Sequence, residues 1–176
     1  MSMFPIASTT VGAGGVASIT FSSIPQTFTH LQIRGLGRGT TSFSAGLSFY
    51  MQFNSDTGNN YGGHQVYGDG STTGSNSNLT RANTIAGQVF ADSSASSNVF
   101  GDVVADILDY TNTNKNKTVR VLGGFDNNGN GRVSLSSSLW LNTSAISNIV
   151  ISTDGNLVQY SSFALYGINS SPTTGA

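Results

Sequence analysis

The heptapeptide LSFYMQF, Leu47 to Phe53, decides the fold class. It puts Leu47, Phe49, Met51 and Phe53 on one side and Ser48, Tyr50 and Gln52 on the other. An alternation with period two is the pattern of a half-buried strand. Immediately upstream, THLQIRGL (Thr29 to Leu36) repeats it, with Leu31 and Ile33 opposed to Gln32 and Arg34. Further strands are expected at Val16–Phe21, Tyr61–Tyr67, Asn83–Phe90, Thr118–Phe125, Arg132–Leu141, Ile146–Ser152 and Tyr160–Ile168. In Val99–Tyr110 the spacing of Val103, Val104, Ile107 and Leu108 suits helix or strand, and the Val/Ile content with no helical cap favours strand. Within Arg132–Leu141, Val133 and Leu135 run in step and a shift of phase is expected before Leu139 and Leu141.

Between these runs lie clusters of Gly, Ser, Asn and Asp, including the turn at Ser22–Pro25 and the polar turn at Asn112–Asn116. The stretch of lowest complexity, Gly68 to Asn78, reads as an exposed loop. Eight to ten short strands separated by turn signals predict a single antiparallel β-sandwich or jelly roll. The expected division is an N-terminal arm over 1–15, a sandwich domain over 16–169 and a C-terminal tail over 170–176. Leu31, Ile33, Phe49, Phe53, Val121, Leu135, Leu165 and Ile168 are the expected core.

Composition supports an all-β reading and narrows function. Charged residues make up 9% of the 176 residues, against about 25% in ordinary proteins. There is no glutamate, and the lysines are Lys115 and Lys117. Glu and Lys populate the exposed faces of helices, so their scarcity argues against surface helices. Ser, Thr, Asn and Gly fill roughly half of the chain and suit turns and polar strand faces. With no cysteine there are no disulfides or thiolate metal sites. A net charge of -1 without a basic patch argues against nucleic-acid binding. No run approaches the ~20 apolar residues of a membrane span. Met1 to Ala17 lacks a basic segment followed by an apolar one, so no secretory signal is expected and synthesis is placed in the cytoplasm.

Candidate sites are few. Asp126-Asn127-Asn128-Gly129-Asn130-Gly131 matches the opening of a calcium loop, but the twelfth position is Ser137 and flanking helices are missing. A hairpin connection using Asn and Gly at positive φ is the preferred reading. Asp102 and Asp106 would share a strand face, with Asp109 on the other; paired carboxylates can hydrolyse glycosides. They can equally pair with Arg120 or Arg132, or be solvated. His30 and His64 lie on separate segments with no metal-binding spacing. No Gly-x-Ser-x-Gly elbow supports a nucleophilic serine, and Gly35-Leu36-Gly37-Arg38-Gly39 lacks the dinucleotide spacing and the helix that must follow it. Tyr50, Tyr61, Tyr67 and Trp140 could stack on a sugar or fill a core or interface. No catalytic, cofactor or metal residue is assigned, and an enzyme is not expected.

Four blocks carry a family resemblance: Ile24 to Gly35, Asp106 to Tyr110 with Thr111 to Lys117, Leu139 to Ile146, and Phe163 to Ile168. Across Val16 to Ile168 the chain resembles small virion structural proteins of tailed bacteriophages, cyanophages and marine phages among them. The resemblance implies a jelly-roll-like sandwich on the virion surface and supplies no active-site residues. It implies either a capsid decoration (cement) protein, often a homotrimer, bound to the major capsid protein, or a piece of the tail and fibre apparatus. The decoration role is preferred because a fibre normally needs a coiled-coil or repeat shaft. The alternative is a tail-fibre or receptor-binding module that holds host glycans through aromatic residues or the Gly68–Asn78 segment. In the decoration reading, Met3, Phe4 and Ile6 are the anchors of an arm that orders on assembly; the same segment could equally be a plain tail.

Overall fold

The computed structural model describes residues 2–43 and 45–170, excluding the side chains at 78–80, 85 and 86. The described chain is all β, in twelve strands. The first six are β1 (Ser2–Thr10), β2 (Val16–Phe21), β3 (His30–Gly37), β4 (Leu47–Phe53), β5 (Tyr61–Gly68) and β6 (Thr73–Arg81). The others are β7 (Thr84–Phe90), β8 (Gly101–Ile107), β9 (Lys117–Asp126), β10 (Gly131–Trp140), β11 (Ile149–Leu157) and β12 (Ser162–Asn169). They form an eight-stranded sheet, β1-β12-β3-β8-β9-β10-β5-β6, packed on a four-stranded sheet, β2-β11-β4-β7.

Set aside β1, β12 and the β9–β10 hairpin, and the small sheet reads β2-β11-β4-β7 against β3-β8-β5-β6 in the large one. That is the order of two interleaved Greek keys, the jelly roll. The hairpin is inserted between β8 and β5, and β12 and β1 extend the sheet beyond β3.

The deciding heptapeptide behaves as its alternation predicts: Leu47, Phe49, Met51 and Phe53 are each fully buried in β4. Phe49 packs against Phe90 and Phe163 at one end of the core. At the other, Phe53, Tyr61 and Trp140 form a second aromatic group. The Trp140 indole N–H donates to Asp56 Oδ2 at 2.8 Å, which satisfies its one polar atom.

Two strands lie where loop or arm was expected. The segment read as an arm contains β1, which pairs antiparallel with β12. Its side chains face solvent except the half-buried Ile6, so no alternation marks it in the sequence. Phe4 stacks on Phe28 at 5.8 Å and Ile6 packs against the core, both within this one chain. The supposed loop Gly68–Asn78 is a turn at Asp69–Thr72 leading into β6, paired with β5 at the sheet edge. An edge strand whose exposed positions are Thr, Ser and Asn carries no hydrophobic period to read. From residue 171 on, the expected tail lies outside the described residues.

The expected phase shift in β10 does not occur. Alternation continues to Trp140, and the inward positions are Ser134, Ser136 and Ser138, each 2% exposed. Leu135 is therefore not core: it faces outward at 46% exposure, and Val133 does so at 56%. The reason is the close approach of β7. A Cβ built on Gly87 would fall 2.6 Å from Ser134 Cβ, so only small inward side chains fit beneath it. The other seven expected core residues are buried.

Scarce charges are spent on loops. Lys117 is fully buried, and its Nζ donates to the carbonyls of Asn112, Lys115 and Thr143 at 2.7–2.8 Å. Burial pulls this ammonium below the usual lysine range. The Arg38 guanidinium donates to the carbonyls of Ser93, Ala95, Ser96 and Val99, fixing the loop before β8.

Candidate functional site: the outer face of the large sheet

The β10 inversion places its aliphatic side on the outside, where neighbouring strands add to it in register. Val104 of β8 pairs with Leu122 of β9, Leu122 with Leu135 of β10, and Leu135 with Val66 of β5. Leu122 and Val66 are 52% and 54% exposed. The result is an apolar stripe running across four strands, with Val133 beside it. Scattered exposed aliphatics are normal, whereas a contiguous stripe marks an interaction surface.

The surroundings of the stripe are polar and shallowly concave. A depression of about 600 Å³ is lined by His64, Val66, Ser77, Arg120, Leu135 and Ser137. A second, of about 510 Å³, includes Tyr67, Ser75, Leu122 and Val133. A third, of about 890 Å³, lies where Asp69, Asp102 and Asp126 approach Leu122 and Val133 near the strand ends. Apolar groups in the middle with hydroxyls and isolated charges around them have the layout of a protein–protein contact.

The candidate residues fall out as follows. Asp102 and Asp106 share the outer face of β8, as their spacing predicts. Four residues along a strand separate them by about 13 Å, beyond the ~5–9.5 Å of a glycosidase pair. Asp106 accepts from Gln32 Nε2 at 2.8 Å and stands opposite Arg120 in the register of the β8–β9 ladder. Asp109 lies past the end of β8 at φ 48°, so no strand face defines it; Lys115 donates to it at 2.7 Å and His30 Nδ1 sits 3.5 Å away. The Lys115 hydrogen bond holds the Asp109 carboxyl below the usual range. His30 and His64 stand on β3 and β5 with three strands between them, about 19 Å apart by strand spacing.

The Asp126–Gly131 segment is the β9–β10 hairpin turn, with Asn128 at φ 52° and Gly129 at φ 117°. Asn128 N donates to Asp126 Oδ1 and Asn127 Oδ1 accepts from Ser96 N, both at 2.8 Å, so two side-chain oxygens already have donors. Among the described residues no group of three or more His, Asp or Glu side chains could hold a metal. Gly35 and Gly37 lie in β3, where they leave room for the Phe163 and Phe90 rings.

Tyr61 and Trp140 fill the core, and burial pushes the Tyr61 phenol up to about 12. Tyr50 donates from its hydroxyl to Asp154 Oδ1 at 2.8 Å. Tyr67 lies under the Arg132 guanidinium, 3.6 Å from its ring centre.

No family model, curated protein or solved structure matches this chain. Sequence reasoning missed that surface because it counted Leu135, in step with Val133, as core and passed over Val66 and Leu122. The one available signal was the serine at every second position from Ser134 to Ser138, in antiphase with Val133 and Leu135.

Proposed function

We propose that the protein is a bacteriophage virion structural protein, a capsid decoration protein that binds the major capsid protein through the outer face of its large sheet. The observation that carries this reading is the outward stripe Val104–Leu122–Leu135–Val66. Covering the exposed half of such a Val or Leu side chain contributes about 1 kcal/mol. One copy then binds weakly, and a trimer engaging several capsid subunits at once gains by effective concentration. The near absence of surface charge suits dense display, since many copies side by side repel one another little. The rim hydroxyls and amides of β5, β6 and β10 supply hydrogen-bonding groups around the apolar centre.

The test is the copy number in purified virions, by quantitative mass spectrometry against the major capsid protein. Decoration requires hundreds of copies in simple ratio to the capsid subunits. Binding to undecorated capsids should also fall in Leu122→Ser and Leu135→Ser. A handful of copies per particle would refute decoration.

A further inference from the structure

We infer that β1 is exchanged between copies of this chain: it leaves its own β12 and completes the same ladder on β12 of a second copy. β1 lies at the end of the large sheet, and among the described residues β12 is its one neighbouring strand. Its side chains face solvent except the half-buried Ile6. It is docked by the ladder from Ser2↔Asn169 to Thr10↔Ser162, continued by Val11 N donating to the Ser161 carbonyl at 2.8 Å. Three side chains anchor it: Phe4 stacks on Phe28, Ile6 packs against the core, and Val11 is 4% exposed. The partners of these groups all lie in the body of the sandwich, so a second copy offers the identical set.

The joint between β1 and β2 suits this exchange. Residues 12–15 are Gly-Ala-Gly-Gly, and they carry the chain from the large sheet to the small one. A Cβ built on Gly12 or Gly14 meets nothing within 4 Å, so no packing holds these two positions. Gly14 at φ 98° and Gly15 at φ 70° make the fold-back turn, and its closing hydrogen bond, from Gly15 N to the Gly12 carbonyl, is long at 3.3 Å. Opening the turn loses that one bond, while the β1–β12 ladder is re-formed in full on the neighbour. The balance between the two arrangements is then set by the concentration of neighbours, and a short hinge on a docked strand is the usual setting for such a swap.

The free edge of β1 does not favour the alternative, a strand simply added beside it. Pro5 has no N–H to donate, and the register shifts between Pro5 and Ala7. A proline and a bulge both blunt an edge as a template for further pairing. Copies therefore meet at this end of the sheet through β12 and not beside β1. The inference stands apart from the decoration reading, since the donated strand and its acceptor both belong to this chain.

The experiment uses the full chain, which has no cysteine of its own. Ser8 is exposed and stands opposite Ala164 in the ladder. Antiparallel partners have Cα atoms about 4.5–5.5 Å apart, within reach of a disulfide. A dilute chain carrying both Ser8→Cys and Ala164→Cys should link within itself under mild oxidation, which checks the register. Chains carrying Ser8→Cys alone and Ala164→Cys alone are then mixed at about 1 mM, warmed so that β1 can undock, and oxidised. The linked heterodimer, read by non-reducing gel and peptide mass, should exceed several-fold that from Ser8→Cys mixed with Ser137→Cys, an exposed position on β10 that registers collisions alone. Gly14→Ala puts a side chain at φ 98°, which strains the closed turn and spares the open one, so it should raise the heterodimer about ten-fold. Gly12→Ala should leave it unchanged. A dilute double variant that stays unlinked, a heterodimer no more abundant than the Ser137 control, or a yield unaltered by Gly14→Ala would overturn the inference.

Discussion

Replacing Leu135 by serine tests the inverted strand on which the functional reading stands. Leu135 is 46% exposed, so about half of its surface is covered by protein. Full burial of a leucine stabilises by about 1.5–3 kcal/mol, so Leu135→Ser should cost about 1 kcal/mol. In a chain of this size that lowers the melting temperature by about 2–4 °C. Leu165, with no exposed surface, is the control: Leu165→Ala should cost about 2–5 kcal/mol, or roughly 5–15 °C. The mirror substitution, Ser134→Val, adds bulk beneath Gly87, where a Cβ would already be 2.6 Å from Ser134 Cβ. Overpacking there should cost about 1–3 kcal/mol, whereas on an exposed face it would be neutral. Urea unfolding followed by the fluorescence of buried Trp140 reads all three variants, and an unchanged m value keeps them comparable. A Leu135→Ser loss equal to that of Leu165→Ala, with Ser134→Val harmless, would refute the inversion and remove the stripe.

Three further outcomes follow from the loops and the sheet contacts. Lys117→Met leaves three carbonyls without their donor, so it should cost about 3 kcal/mol or more in urea unfolding, and the added volume of Lys117→Arg should not restore it. Gly101→Ala drives a Cβ into the Val89 carbonyl and should sharply reduce the yield of folded protein, while Gly12→Ala, with nothing near it, should be neutral. Acid should destabilise the fold. Hydrogen bonds from Asn60, Trp140 and Gly58 hold the Asp56 carboxyl below its usual range. Burial raises that of Asp92, but donors from Ser94, Phe43 and Ala95 outweigh it and hold it low. A depressed carboxyl stabilises the fold above its unfolded value of about 3.9 and loses that contribution as pH falls through the folded value. Thermal melts should be flat from about pH 7 to 5 and fall below about pH 4, and Asp92→Asn should be less stable at neutral pH with a shallower acid fall.

How much of this was legible depends on which physical signal each segment carries. In β4 and β3 one face meets the core and the other does not, so residues such as Phe49 and Ile33 print the alternation directly into the sequence. β1 and β6 were not legible as strands because their described residues are ordered chiefly by backbone pairing with β12 and β5, with Ile6 the one half-buried side chain of β1, and pairing leaves no pattern in side-chain hydrophobicity. β10 carried a clear period but the wrong polarity: with serine on one face and Val/Leu on the other, the default is to bury the aliphatic side. What reverses it is the close approach of Gly87, a contact across many residues of chain that local patterning cannot register.

The shortage of charge and the apolar stripe have a common logic. A chain of 176 residues with seven Lys and Arg side chains has few charges to place on its surface. Arg38 and Lys117 donate to loop carbonyls, while Asp56, Asp69 and Asp92 accept from backbone N–H groups in their own turns. Those charges therefore shape long connections that contribute little hydrophobic burial of their own. The broad outer face is left with hydroxyls, amides and a few isolated charges, which discriminate weakly between partners in water. A specific contact on such a face must then come from apolar burial, and β10 supplies it by turning Val133 and Leu135 outward. On this argument, adding charge should harm recognition more than stability: Ser137→Lys beside Leu135 should leave the melting temperature within about 1–2 °C while weakening attachment to capsids. Attachment unchanged by that lysine would place the partner on another face of the molecule.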